Sequence, residues 1–210
     1  SYFLKLHMML SPFILASRSP RRKALLEKLN LPFEVVSSSV QEDHISSAEP
    51  DKLVRRLALE KAQEVAKQFP HRVVIGADTV VVLEETVMGK PAHQAEAKEM
   101  LNLLSGRRHT VFTGVAIVKN ANAEEHTFYD RTGVTFFPLT HEMIDRYVRN
   151  TPPLDKAGAY GIQDWSACFV EKIDGCYNNV VGFPLSRFAQ LLRTPAIQER
   201  FGIDHFMSDG

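Results

Sequence analysis

Arg72-Val73-Val74-Ile75-Gly76-Ala77-Asp78-Thr79-Val80-Val81-Val82-Leu83 is the stretch that decides the fold. It is apolar and rich in β-branched residues, and reads as a long strand. Immediately upstream, Asp51 to Phe69 reads as a long amphipathic helix, with an apolar stripe through Val54, Leu57, Ala58, Ala62, Val65 and Phe69. Outward from this pair the pattern alternates. Phe13–Ala16 and Phe33–Ser37 read as short strands. Ser19 to Leu29 reads as a helix with Ser19 at its N-cap and Pro20 at its first position. Downstream, Gln94–Leu104 and Thr140–Arg149 read as helices, Thr110–Lys119 and His126–Phe137 as long antiparallel strands, Cys168–Ile173 as a strand and Pro184–Arg193 as a last helix. The sum is an α/β fold on a mixed sheet, since the order does not alternate strictly as a parallel sheet requires.

The chain has 210 residues, enough for one α/β domain and short for two. Residues 11–195 are read as that domain, 1–10 as an N-terminal extension (an added leader, or a ragged native start) and 196–210 as a C-terminal tail. Lys plus Arg equals Asp plus Glu at 25 each, so the net charge is zero. A neutral chain is not suited to coating a nucleic-acid polymer. No apolar run reaches the length of a membrane span. The two cysteines, Cys168 and Cys176, have no metal-type spacing and read as free thiols. A cytoplasmic protein is expected.

Several residues break local rules. Ser17-Arg18-Ser19-Pro20-Arg21-Arg22 joins a strand to a helix N-terminus, where free backbone N–H groups favour an anion. Arg21 and Arg22 oppose the helix dipole there unless an anion binds; a solvated basic helix start reads equally well. Lys61 follows Val54 by seven positions, Leu57 by four and Ala58 by three, and so lies inside the apolar stripe. Either its ammonium snorkels past the helix edge or it aims into a cleft at a carboxylate or phosphate, and its central position favours the cleft. Asp78 needs a partner among its apolar neighbours. It is a structural ion pair, perhaps with Lys61, or a metal ligand or general base, and the two are compatible. Gly76 and Ala77 leave room for something to approach closely. Gly89-Lys90-Pro91 presents a lysine on a rigid loop. In Leu154 to Gln163, small residues surround Tyr160, and Gln163 has the donor and acceptor suited to a base edge. The loop Val40-Gln41-Glu42-Asp43 adds carboxylates.

Other chemistries are disfavoured. There is no Walker-type P-loop, no Gly-x-Ser-x-Gly elbow and no zinc spacing among the eight histidines. His109 and His141 read as surface residues.

Ala16-Ser17-Arg18-Ser19-Pro20-Arg21-Arg22, Ile75 to Val80, Gly89-Lys90-Pro91, Ser105-Gly106-Arg107, Phe112 to Ala116, Asp155 to Gln163 and Val181-Gly182-Phe183-Pro184-Leu185, in that order, resemble the Maf nucleotide pyrophosphatases. The resemblance runs from about Pro12 to Leu192. It implies the fold shared with inosine-triphosphate pyrophosphatases: an elongated mixed sheet flanked by helices, with a central nucleotide cleft. It implies a divalent cation, Mg²⁺ or Mn²⁺, and a homodimer. It places family functional positions on Arg21, Arg22, Glu42, Lys61, Asp78, Lys90 and Gln163.

The resemblance implies hydrolysis of a nucleoside triphosphate to the monophosphate and pyrophosphate. Arg21, Arg22, Lys61 and Lys90 would hold the phosphates, with the Ser17 to Ser19 turn. Glu42 and Asp78 would hold the metal, one of them activating water, and Gln163 would read the base. Arg21 and the Asp155 to Gln163 stretch look like the family branch that prefers dTTP and UTP; a second branch prefers 7-methyl-GTP. Gln41 departs from the pattern, an acidic residue often standing there. A noncanonical-purine pyrophosphatase and a nucleotide-binding cell-division regulator without turnover are the rival expectations.

Overall fold

The computed structural model describes residues 13–41, 49–151 and 153–203. Seven strands of these residues form one sheet: β1 (Phe13–Leu15), β2 (Phe33–Val35), β3 (Val74–Leu83), β4 (Thr86–Met88), β5 (Arg108–Lys119), β6 (Glu124–Phe136) and β7 (Val170–Asp174). The order is β2-β1-β3-β5-β6-β7, with β4 attached to β3. β1 runs parallel to β2 and β3, and the remaining pairs are antiparallel. The sheet is therefore mixed, as the sequence indicates, and β5 and β6 are antiparallel neighbours from Arg108↔Thr135 to Lys119↔Glu124.

β3 is buried along nearly its whole length because both faces are covered. On one face lies α2 (Pro50–Ala66), with Val54, Leu57, Ala58, Ala62 and Val65 buried. Two glycines let its backbone press onto the sheet. A Cβ at Gly76 would lie 2.1 Å from the Ala58 carbonyl oxygen, and one at Gly114 would lie 2.3 Å from that of Val54. The small residue at Gly76 is thus explained by a helix backbone. The opposite face carries α1 (Pro20–Glu27), α5 (Tyr177–Val181), α6 (Leu185–Leu192) and α7 (Pro195–Phe201), packed around Ile75, Ala77, Val115 and Ile117. A second cluster, under α3 (Gln94–Leu104) and α4 (His141–Asn150), gathers around Val81, Leu101, Phe136 and Tyr147.

Thr86–Met88, β4, returns antiparallel onto β3 through a turn with Glu84 at φ 55°. Three sequence readings change. Cys168 and Phe169 belong to a 3-10 turn, Trp165–Phe169, so β7 starts at Val170. Pro184–Arg193 is not the last helix. α7 follows it and buries Ile197 and Phe201, and Ile203 is buried too, so these three side chains belong to the core. The Lys119 ammonium donates to the Phe201 carbonyl at 2.8 Å, satisfying an orphan acceptor at the end of α7. Finally, His109 is 2% exposed and stands inside the second cluster rather than on the surface. His141 is exposed, and both cysteines are free, Cys168 exposed and Cys176 half-buried.

One feature of the sheet positions the site. β1 pairs with β3 only at Val74 and Ile75, and β4 pairs with it only at Val81–Leu83. Between them, Ala77–Val80 have a strand neighbour only on the β5 side among the described residues. The sheet is split there, and the split opens into a cleft.

Candidate active site

The cleft has a volume of about 470 Å³. Its floor is β3. Successive residues of a strand point to opposite faces, yet Asp78 and Thr79 both line this one cavity, because it enters at the open edge. Asp78, 2% exposed, lies on the side of α2. The Lys61 ammonium donates to its Oδ1 at 2.6 Å, and Lys61 is itself 6% exposed. The charge in the helix stripe and the charge in the apolar strand are thus one buried ion pair. Removing one partner of such a pair costs about 3–5 kcal/mol.

The C-terminal end of β1 and the start of α1 form the basic wall. Ser19 caps α1, its hydroxyl accepting from the Arg22 N–H at 3.4 Å. The Ser17 hydroxyl accepts from the Ser19 N–H at 3.2 Å, closing the turn. Arg22 is held from three directions: Nε donates to the Gly182 carbonyl at 2.9 Å, Nη2 to the Thr79 hydroxyl at 3.0 Å and Nη1 to Ser17 Oγ at 3.5 Å. Arg21 turns the other way, donating from Nη1 to Asp155 Oδ2 at 2.7 Å and from Nη2 to the Asp155 carbonyl at 3.1 Å.

That second contact ties the 155–163 segment to α1. Asp155 also accepts from the Lys156 ammonium at 2.8 Å. Partial burial pushes its carboxyl upward, but Lys156 and Arg21 outweigh this and hold it below the usual carboxylate range. Gly158, at φ +64°, packs so closely on Val81 that a Cβ would lie 2.9 Å from it, and its N–H donates to the Gly89 carbonyl at 3.0 Å. The Lys90 loop and the 155–163 segment are therefore joined, and Lys90 and Gln163 both stand at the exposed rim of the cleft. Beneath them the Tyr160 hydroxyl meets His109 Nε2 at 2.8 Å. Burial pulls the His109 imidazole down to about 4 and pushes the Tyr160 hydroxyl up.

The structure thus brings Ser17, Ser19, Arg21 and Arg22 to one wall, Lys61 and Asp78 to the floor, and Lys90 and Gln163 to the rim of the same cleft. Glu42 lies outside the described residues, as does Asp43; Gln41, just before them, lines the cleft. The sequence reading passed over Asp155, Lys156, Thr79, Thr113 and Asn179. Thr79 and Thr113 are ordinary strand residues in the sequence; only the register, which sets Thr79 directly opposite Thr113, makes them a pair. Asp155 stood in a quoted motif, but nothing local identifies Arg21 as its partner.

Among the described residues no three His, Cys, Asp or Glu side chains cluster to hold a metal. The donor set nevertheless fits a hard cation of the Mg²⁺ type. Such an ion is commonly held by one or two carboxylates together with substrate phosphates and water, and Asp78 offers a buried carboxylate inside the cavity.

A split mixed sheet with a basic helix start facing a buried Lys–Asp pair defines an α/β protein with a cation-lined cleft. Residues 12–195 match the family described as Maf-like protein, and the chain belongs to that family. It is 52% identical over 180 residues to proteins named dTTP/UTP pyrophosphatase from Bacillus cereus strain AH820 and from Bacillus anthracis. Each match covers 86% of this chain and 93% of the relative. Among solved structures, the Staphylococcus aureus Ham1 protein aligns with 60% of this chain and 72% of its own, at TM-score 0.41 and 15% identity, a loose likeness.

Proposed function

We propose that this protein is a nucleoside triphosphate pyrophosphatase that hydrolyses dTTP and UTP to the monophosphate and pyrophosphate. The observation that carries the reading is that the Lys61–Asp78 pair and the basic turn Ser17–Arg22 share one cavity. The relatives' names supply the substrates.

A triphosphate brings about four negative charges, which must be matched before a nucleophile can approach phosphorus. Arg22, fixed by its bonds to Gly182, Thr79 and Ser17, offers a preorganised guanidinium. Lys90 reaches the phosphates from the rim, Arg21 lends its positive charge to the same wall while holding Asp155, and the N–H groups at the start of α1 add partial positive charge. Asp78, oriented by Lys61, accepts a proton from a water molecule. The resulting hydroxide forms a bond to the α-phosphorus, the bond from that phosphorus to the bridging oxygen breaks, and pyrophosphate leaves. Gln163, at the rim, faces the base and reads its edge. A divalent cation, Mg²⁺ or Mn²⁺, held by Asp78 and Glu42, would neutralise phosphate charge. The homodimer belongs to the same reading and rests on the family resemblance; the cytoplasmic location rests on the two cysteines, which make no disulfide framework. No helix among the described residues is long and apolar enough to cross a membrane.

The test is pyrophosphate release from dTTP, UTP, CTP, dGTP, ITP and 7-methyl-GTP with Mg²⁺. Turnover of dTTP and UTP above the rest, with monophosphate as co-product, is the expected result. Preferred turnover of 7-methyl-GTP would keep the chemistry and overturn the assignment of Arg21 and Gln163. Binding without turnover of any nucleotide would leave a regulator in place of an enzyme.

A further inference from the structure

Behind Arg22 a line of hydroxyls runs away from the cleft into the core. Thr79 Oγ1, which accepts from Arg22 Nη2 at 3.0 Å, lies 2.9 Å from Thr113 Oγ1 on the neighbouring strand. Thr113 Oγ1 lies 3.1 Å from the Asn179 carbonyl oxygen in α5. Thr113 is 0% exposed and does not line the cleft.

The chemistry of these groups fixes every proton in the line. A carbonyl oxygen only accepts, so the single hydroxyl proton of Thr113 goes to Asn179. Thr113 therefore has only lone pairs to offer Thr79, and Thr79 spends its own proton there. Thr79 is left with lone pairs toward the cleft, and a guanidinium, which only donates, is the partner that fits them. The line runs one way: Arg22 to Thr79 to Thr113 to the Asn179 carbonyl. The acceptor end is firm, because Asn179 is 0% exposed and its amide nitrogen donates to the Val111 carbonyl at 3.1 Å and to the Thr132 hydroxyl at 3.0 Å.

We infer that Thr113 is a positioning residue for Arg22: by claiming the Thr79 proton it keeps the Thr79 hydroxyl an acceptor and holds the guanidinium at its phosphate-binding place. Without the Thr113 hydroxyl, Thr79 is free to rotate and aim its proton at the cleft, and its lone pairs are no longer held toward Arg22. The inference rests on the reading of the cleft as a triphosphate site.

The experiment compares Thr113→Val, which keeps shape and removes the hydroxyl, with Thr113→Ser, which restores it. The first readout is binding of inorganic tripolyphosphate, which tests the phosphate wall without any base or turnover. Thr113→Val weakens binding about fivefold, the size of one lost hydrogen bond, and Thr113→Ser stays within about twofold of wild type. In an Arg22→Ala background, Thr113→Val adds no further loss, because its effect passes through Arg22. Ser105→Ala is the control for a merely structural effect. It removes a half-buried hydroxyl that bonds the Leu139 backbone, away from the cleft and from the line behind Arg22, and it leaves tripolyphosphate binding unchanged. In dTTP hydrolysis, Thr113→Val raises KM by the same factor with little change in kcat. Wild-type binding by Thr113→Val, an equal loss in Ser105→Ala, or an additive loss in the Arg22→Ala background would each overturn the inference. If Thr113→Val does not fold, Thr113→Cys, whose thiol is a weak donor, is read in the same way. Absence of wild-type turnover would refute the proposed function while the binding comparison still decides the role of Thr113.

Discussion

Asp78 and Lys61 show how two residues that each violate a local expectation satisfy one another. A carboxylate in a buried strand and an ammonium in an apolar helix stripe are both costly alone. At 2.6 Å they are a pair, and both residues line the cleft. Asp78→Asn keeps the shape and an acceptor for Lys61 but cannot take a proton from water. Its kcat for dTTP is expected to fall at least about a hundredfold, within the range for loss of a general base, while circular dichroism shows an intact fold. Full turnover would remove Asp78 from the chemistry. His109 makes a second residue-scale prediction, on stability. Burial lowers its folded-state value from 6.5 to about 4, so between those pH values the unfolded chain binds the extra proton. Stability from this group is complete above pH 6.5 and is lost progressively as pH falls toward 4, by about 3 kcal/mol in all. Denaturant titrations at pH 7 and pH 4.5 measure it, and His109→Gln should flatten that part of the profile. An identical slope in the variant would assign the acid sensitivity to other groups.

At the scale of elements, the seating of α2 on β3 and β5 is decisive, because it sets where Lys61 stands. Gly76 faces Ala58 and Ala62, three positions before Lys61 and one after it. Gly76→Ala places a methyl group against the Ala58 carbonyl, and the helix backbone must move. The expected cost is about 2 kcal/mol, typical of overpacking, or a fall in melting temperature of about 4–8 °C. Because the same shift lengthens the Lys61–Asp78 contact, kcat should fall together with stability. A variant with wild-type melting temperature and activity would show that the helix tolerates displacement. The same scale explains a strand that the sequence pattern does not mark. Thr86–Met88 is too short to declare itself as a strand, and it forms because Glu84 takes a left-handed turn that returns the chain onto the edge of β3.

Across the whole molecule, the carboxyl-terminal segment closes the core that supports the basic wall. Ile197, Phe201 and Ile203 pack with Leu25 and Leu26 of α1 and with Phe183 and Phe188 in one cluster. Each large apolar side chain contributes about 1.5–3 kcal/mol on burial, so three of them rival much of the net stability of a domain. A chain ending at Thr194 should lose its cooperative thermal transition or melt more than about 10 °C lower. An unchanged melting curve would return residues 195–203 to the status of a tail. Polar contacts also join the ends of the molecule, the Asn122 amide donating to the Arg200 carbonyl at 2.8 Å and Arg200 pairing with Glu124. They are invisible in the sequence because the partners lie more than seventy residues apart.

Local chemistry was enough to determine a good deal. Periodicity and capping residues placed α1, α2, α3 and α4 to within a few positions, because a helix is held by contacts among near neighbours in the chain. β-Branched runs placed β3, β5 and β6, because such side chains suit a pleated, buried surface whatever strand lies beside it. The anomalies at Arg21, Arg22, Lys61 and Asp78 were legible because a misplaced charge is conspicuous against its own segment. Tertiary structure alone decided the rest: the split in the sheet that lets Asp78 and Thr79 serve one cleft, the diversion of Arg21 to Asp155, the burial of His109, and the hydroxyl line behind Arg22. Each depends on strand register and on which loop lies across which edge. Those are set by the sum of many long-range contacts, and no single residue carries a local mark of them.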